Sequence, residues 1–487
     1  MTLDGGSNGS NGAPRDPDQV AHPDPAPEPP YVRPVVRAWR IDKPEDHTDA
    51  ANGEQFAFMH GGSLKYVADA GRWLQWDGKR WADGLEVDLL QRAKATAESL
   101  LHHAVQIRSD EQRKAAFAWA LQSANVGRLK AMITMGASER DVRLTASDLD
   151  HDPMMLNVDN GTLDLMRATL NPHDRSDYIT RIVPLAYDPA AECPRWRQFL
   201  DEVFDHDEEL IAYVQRAVGY TLTGDTREHA LFLLWGNGCN GKSVFIEILR
   251  ALLGEFATSA PMATFTSKRD GSTPTNDLAM LRGARLVSVQ ESEETAGFSE
   301  SLVKQITGGD AITARFLHRE FFTFLPQFKP WIATNHKPRV RGTDDGFWRR
   351  VKLIPFTVSF LNRQDKTLFQ TLRSELSGIL NWAVAGCCLW QVDGLGTAKA
   401  VDAATQSYRE ESDAIAQFVS DCLVVNMDAE ISITAKRVYQ LYCAWCEENG
   451  EKPKAQKRLG EYLFKIEGVK PYRSRGERGY EGIGEPS

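Results

Sequence analysis

Residues 231–254 read LFLLWGNGCNGKSVFIEILRALLG and fall into three parts. Leu231–Trp235 is a continuous apolar run, as a strand covered on both faces of a parallel sheet requires. Residues 236–243 are glycine-rich, and Val244–Leu253 repeats its apolar residues at helical spacing until Gly254. Gly236, Asn237, Gly238, Cys239, Asn240, Gly241, Lys242 and Ser243 fit the pattern G-x-x-x-x-G-K-[ST] at every position. In a strand–loop–helix setting, the loop amides and the helix N-terminus point at a bound phosphate. Lys242 then reaches the β- and γ-phosphates, and the Ser243 hydroxyl takes one place on Mg2+. The bland alternative is a glycine-rich turn before a helix; the eight-position match and its context weigh against it.

The stretches that follow supply partners for such a loop. Arg285–Glu291 (RLVSVQE) reads as an apolar strand ending in Glu291, with Glu293 and Glu294 just beyond. A carboxylate at the carboxyl end of a strand beside the phosphate-loop strand lies at the γ-phosphate. Glu291 is therefore expected as Mg2+ ligand or water-activating base, ahead of Glu293, while Glu294 reads as a solvated acid. Lys329–Thr334 (KPWIAT) predicts a third strand ending at Asn335. Asn at a strand end is usually turn chemistry, but behind two such strands its amide can bond the γ-phosphate or the attacking water. Trp348-Arg349-Arg350 precedes another apolar strand, Val351–Phe356. Paired arginines there are commonly surface ion pairs. In a ring-forming ATPase one of them reaches the neighbouring subunit's γ-phosphate, and the sequence does not choose between them.

The whole chain has 487 residues, 42% hydrophobic and 25% charged, enough for more than one core; about 150 residues per domain gives roughly three domains. No run approaches the roughly 18 apolar residues of a membrane span, and the acidic, Gly/Pro-rich N-terminus does not resemble a secretory signal. Seven cysteines argue against a disulfide scaffold and for a reducing cytoplasm. The net charge of −10 excludes coating nucleic acid by bulk charge and leaves a local basic groove open.

Residues 1–30 hold four Gly and seven Pro and few apolar side chains, which predicts a disordered tail over 1–36. A small α+β domain is expected over 37–150. There Trp73, Trp76 and Trp81 form the core of a β-meander, followed by helices over Val87–Val105 and Gln112–Met135. The next region, 151–225, is expected to be mainly helical. It opens with a hairpin turning at Asn160-Gly161, then helices Trp196–Val203 and Glu208–Gly219, broken by Gly219–Gly224. The core with the phosphate loop spans 226–395. Over 396–487 the pattern is helical and ends in a β-like segment, Glu451–Tyr480, with nine Lys/Arg against four Glu. Three helices and a basic β tail suit a winged helix, with duplex or origin DNA as its partner; a solvated lid is the alternative. Cys443 and Cys446 lie inside one helix with no second pair nearby, so they read as thiols and not as a zinc site.

The spacing of GNGCNGKS (236–243), GARLVSVQESEE (283–294), VKQITGGDAITARF (303–316), WIATNHKP (331–338) and GTDDGFWRRVKLIPF (342–356) resembles a superfamily 3 helicase. The similarity is to the poxvirus-type primase-helicase branch of phages, plasmids and large DNA viruses. Upstream, LNVDNGTLDL (156–165), CPRWRQFL (193–200) and VQRAVGYTLTG (214–224) resemble that family's helicase-associated region. The resemblance covers about residues 150–390. It implies an AAA+-like ATPase core and a hexameric ring that moves along single-stranded DNA, usually 3′ to 5′, by hydrolysing ATP with Mg2+. Lys242 and Ser243 would bind ATP-Mg2+, Glu291 would serve hydrolysis, Asn335 would be the polar sensor, and Arg349 or Arg350 the arginine finger.

Within the matched block, Ala314–Leu317 and Phe321–Phe324 read as two short strands around His318-Arg319-Glu320. A charged hairpin tip inside a ring pore grips phosphates, so Lys304, His318 and Arg319 are the expected DNA contacts, without base specificity; an ordinary exposed hairpin is the alternative. The family usually carries a primase domain upstream. The Asp148-Leu149-Asp150 pattern reads as a loop and not as a metal-holding strand, so no priming is expected. The chain is thus expected to be a multidomain α/β helicase acting in a bacterial cytoplasm, with single-stranded or forked DNA, a replication-initiation or primase partner and no membrane. A DNA-packaging or remodelling motor and an ATP-assembled origin-binding scaffold are the competing readings.

Overall fold

The computed structural model describes residues 41–266, 275–290, 297–317, 320–340, 344–425, 431–451, 453–474 and 477–486. The tail expected over 1–36 lies outside them. The chain is a mixed α/β, multidomain protein built around a parallel sheet.

The N-terminal part contains α1 (Asp49–His60), β1 (Leu64–Val67), β2 (Arg72–Trp76), β3 (Trp81–Asp83), α2 (Glu86–Val105), α3 (Asp110–Ser123), α4 (Val126–Gly136) and β4 (Arg143–Leu144). The meander β3-β2-β1 forms as its alternating apolar residues dictate, and β4 joins β1 in parallel. Trp73 and Trp81 are buried in it. Where one helix was expected over 112–135 there are two, separated at Ala124-Asn125; Asn125, in extended conformation, precedes the first residue of α4. The apolar residues on either side keep a helical period, so periodicity alone could not reveal the break.

Next come β5 (Met155–Val158), β6 (Gly161–Asp164), β7 (Thr169–Asn171), α5 (Pro194–Val203) and α6 (Glu208–Leu222). The hairpin turns at Asp159-Asn160, one residue earlier than expected, because Val158 pairs with Gly161. A three-stranded sheet, β5-β6-β7, stands beside the two helices. Trp196, Phe199 and Tyr213 share one hydrophobic core with Phe245 and Leu249 of the phosphate-loop helix.

The parallel sheet carries β8 (Leu231–Trp235), α7 (Lys242–Leu253), β9 (Ala257–Pro261), α8 (Thr275–Ala279), β10 (Leu286–Gln290), α9 (Glu300–Gly308), β11 (Ile312–Ala314), β12 (Phe322–Phe324), β13 (Lys329–Thr334), α10 (Asp345–Trp348) and β14 (Val351–Pro355). Its order is β14-β8-β13-β10-β9, every pairing parallel. Leu231–Leu234 are fully buried, as strands covered on both faces must be. The expectation that the strand leading to Glu291 lies beside the phosphate-loop strand is corrected: β13 stands between β8 and β10. Order across a sheet is a long-range property that local hydropathy does not encode.

Four helices follow: α11 (Leu368–Ser374), α12 (Leu376–Asp393), α13 (Lys399–Glu411) and α14 (Ala414–Cys422). The chain closes with β15 (Val424–Val425), β16 (Ser432–Thr434), α15 (Ala435–Glu448), α16 (Gln456–Leu463), β17 (Lys470–Ser474), β18 (Glu477–Glu481) and β19 (Ile483–Gly484). This last module has a core of its own around Phe418, Tyr442 and Leu463.

Gly219 does not break α6, which runs on to Leu222. A Cβ built there would lie 2.0 Å from the Cys387 amide nitrogen and 2.3 Å from the Gly386 carbonyl carbon; one at Gly386 would lie 2.1 Å from the Gln215 oxygen. The two glycines let α6 and α12 cross backbone to backbone. Gly219→Ala is therefore expected to destabilise the fold by about 3 kcal/mol, read as a lower denaturant midpoint.

Two buried cations close the carboxyl end of α6. Lys329 donates to the Thr223 carbonyl at 2.5 Å and lies over the Tyr220 ring at 4.4 Å; Arg285 donates to the Leu222 and Met155 carbonyls. Carbonyls at a helix C-terminus favour such charges. Burial, then the neighbouring Arg285, holds the Lys329 ammonium well below the usual lysine range, and burial pushes Arg285 down to about 10. Between the depressed value and the ordinary lysine pKa the unfolded chain binds the extra proton, so stability rises with pH across that window. Lys329→Met is expected to remove this rise, measured by urea unfolding at neutral and alkaline pH.

Candidate nucleotide and nucleic-acid sites

The phosphate-loop residues lie between the end of β8 and the start of α7. Gly238, Cys239 and Gly241 have φ of +89°, +47° and +88°. Backbone that changes hand within a tight turn points successive N–H groups to one side, the geometry of an anion nest. A Cβ on Gly241 would lie 2.7 Å from Val203, so α5 closes on the loop there; one on Gly238 meets nothing within 4 Å, so the mouth is open. Asn240 pins the loop by donating to the Phe356 carbonyl at 3.0 Å, and the Phe360 amide donates to the Cys239 carbonyl at 2.7 Å. Asn237 and Ser243 are exposed, Ser243 in the first turn of α7.

The Lys242 side chain is buried. Its ammonium donates to the Gly236 carbonyl at 2.6 Å, Asn240 Oδ1 at 3.0 Å and Asn335 Oδ1 at 3.0 Å. The last contact follows from register: Thr334 pairs with Trp235, so Asn335 lies level with Gly236. Open nest, lysine and serine hydroxyl fit a polyphosphate carried with a hard, oxygen-seeking cation. Glu291 and Glu293 lie outside the described residues.

The structure separates the two arginines. Arg350 is buried, donating through Nε to Thr307 Oγ1 at 3.0 Å and through a terminal nitrogen to the Gly346 carbonyl. Burial and the adjacent Arg349 hold its pKa below the usual value. Arg350 is thus a strut between α9 and α10, whereas the Arg349 side chain is exposed at the end of α10.

Lys304 is not on the hairpin. It lies on α9 and pairs with Asp344, the residue that caps α10. The hairpin strands are shifted from the expected ones. Ile312–Ala314 pairs with Phe322–Phe324, and 315–317 lie outside the ladder; His318 and Arg319 are outside the described residues. Asp148 accepts from the Thr145 amide and hydroxyl, which hold its pKa below the usual range. Asp150, at positive φ, accepts from Thr180. Both acids are loop anchors.

Sequence reasoning missed Lys337. Its ammonium lies 4.5 Å from the Trp235 ring centroid and binds both Glu411 oxygens at 2.7 Å, tying the segment after Asn335 to α13. No motif marks it. In the C-terminal module, Lys457 and Arg458 on α16 and Lys470, Arg473 and Arg478 on β17–β18 are exposed. Cys446 is buried, and the described residues hold no cluster of three metal-ligating side chains.

Three protein-family models match along the chain. "D5 N terminal like" covers residues 53–205, "Family of unknown function (DUF5906)" covers 234–350, and "Poxvirus D5 protein-like" covers 410–478. Two of these models are of the poxvirus D5 type, so both flanks of the chain are similar to that family and support the resemblance its motifs carry. The chain is 26% identical over 420 residues to a "Putative helicase" of Acanthamoeba polyphaga mimivirus, covering 79% of the chain and 43% of that protein. It is 25% identical over 331 residues to a "Putative primase" of African swine fever virus, covering 62% and 34%. It thus spans less than half the length of these relatives. Among solved structures, the apo C-terminal region of NrS-1 shares the fold, with a TM-score of 0.51 at 10% identity over 90% of this chain and all of that one. No described helix is long and apolar enough to cross a membrane.

Proposed function

We propose that this chain is the motor of a replicative DNA helicase: a P-loop ATPase that assembles as a hexameric ring and moves on single-stranded DNA. The observation that carries this reading is the bond from the Lys242 ammonium to Asn335, which joins the phosphate loop to the end of the neighbouring strand. Lys242 and the loop amides would hold the terminal phosphates, and Ser243 would hold a Mg2+ ion, whose charge would offset that on the phosphate oxygens. Asn335 orients the attacking water, and the acid after β10, Glu291 or Glu293, takes its proton. Arg349 of one subunit reaches the site of the next; Arg350 holds the turn that presents it.

The C-terminal order of α14, β15–β16, α15, α16 and β17–β18 supports a winged helix, with α16 and the β17–β18 ribbon laying their cations on duplex phosphates. The helicase names of viral relatives support replication as the setting. The test is ATP hydrolysis with and without single-stranded DNA, alongside mass determination with and without nucleotide. Stimulation by the strand together with a hexameric mass is the expected result; unstimulated turnover by a monomer would contradict it.

A further inference from the structure

We propose that the hairpin of β11 and β12 stacks the bases of single-stranded DNA on exposed aromatic rings, beyond any grip on the backbone. The inference rests on the ring-motor reading above, with this hairpin facing the strand as its sequence predicts. The hairpin buries Ile312, Ala314 and Phe324, yet Phe316, Leu317 and Phe321 remain 43%, 72% and 56% exposed. Single exposed apolar residues need no explanation; three on one short hairpin form a patch that marks an interaction site.

The rings are interleaved with cations. Phe316 stacks on Phe322 with centroids 5.6 Å apart and planes 27° apart. The Arg315 guanidinium lies 4.6 Å from the Phe321 ring centroid, and Arg282, in the turn before β10, lies 5.4 Å from that of Phe322. Across the described hairpin residues, 312–317 and 320–324, Glu320 is the one carboxylate. An apolar partner surface would cover the rings and desolvate the exposed Arg315 guanidinium, which costs free energy. Single-stranded DNA satisfies both: every base offers a π face to a ring, and each phosphate an anion to an arginine. Stacking of this kind is tolerant of sequence, as a translocating motor requires.

The test uses the full chain and two probes of equal length: oligothymidylate and a strand whose central nucleotides are abasic. The native chain is expected to bind oligothymidylate more tightly. Phe316→Ala with Phe321→Ala is expected to weaken that binding by about tenfold or more, bringing it to the abasic level. Phe316→Trp with Phe321→Trp is expected to preserve the difference, which guards against a folding defect. Equal binding of both probes by the native chain, or equal weakening of both by the alanine pair, would overturn base stacking and leave strand binding intact. A change in assembled mass without a change in affinity would assign the rings to contact with a second copy. Failure of the native chain to bind either probe would remove the strand-facing reading itself.

Discussion

Replacing Arg349 by alanine is expected to lower ATP turnover by about a thousandfold with the thermal midpoint unchanged. The exposed guanidinium at the end of α10 is available to a neighbouring subunit, and an arginine supplied across an interface acts only where subunits meet. Turnover per native subunit is accordingly expected to fall on dilution, while the Arg349→Ala chain shows no such dependence. Arg350→Ala is expected to give the opposite signature. Thr307 Oγ1 and the Gly346 carbonyl lose a charged donor inside the protein, and the fold loses about 2 kcal/mol. Steady-state turnover over a range of protein concentrations, with thermal melts of both variants, checks the pair. An Arg350→Ala chain with a native midpoint and no turnover would reverse the assignment.

Lys242→Ala is expected to abolish tight ATP binding and cut turnover at least about a hundredfold. The ammonium is held beside the loop by three oxygens, the Gly236 carbonyl, Asn240 Oδ1 and Asn335 Oδ1, so an incoming phosphate takes the place of at least one of them. Its removal takes away the charge that meets the terminal phosphates and the link to Asn335. Asn335→Ala, which keeps the charge and loses only the link, is expected to reduce turnover more than affinity. Titration with a fluorescent ATP analogue, compared with steady-state rates, separates the two effects. Native affinity in the Lys242→Ala chain would remove the loop from the nucleotide site.

Much of the core was legible because the strands are buried on both faces. Leu231–Trp235 is an unbroken apolar run, Lys329–Thr334 and the run from Val351 are mostly apolar, and the glycine pattern that follows the first is local. The helices of the C-terminal module were legible from their period, because each buries one face only. What stayed hidden depends on residues far apart in the chain. The position of β13 between β8 and β10 follows from chain crossing, and Gly219 meets its partner in a helix more than 160 residues away. Lys329 and Arg285 open two predicted strands, and nothing local shows that both are buried at the end of α6. Arg349 and Arg350 are identical as letters and differ only in which one turns inward to Thr307. The aromatic residues of the hairpin were visible and read as two short strands; only exposure distinguishes a ring that packs from one that faces solvent.

The measurement that tests the central claim most directly is strand separation on a forked duplex with the purified full chain, ATP and Mg2+. The ring-motor reading predicts separation that requires hydrolysis, stops with a non-hydrolysable analogue and tracks a hexameric species. A chain that hydrolyses ATP as a monomer and leaves the fork paired would contradict it.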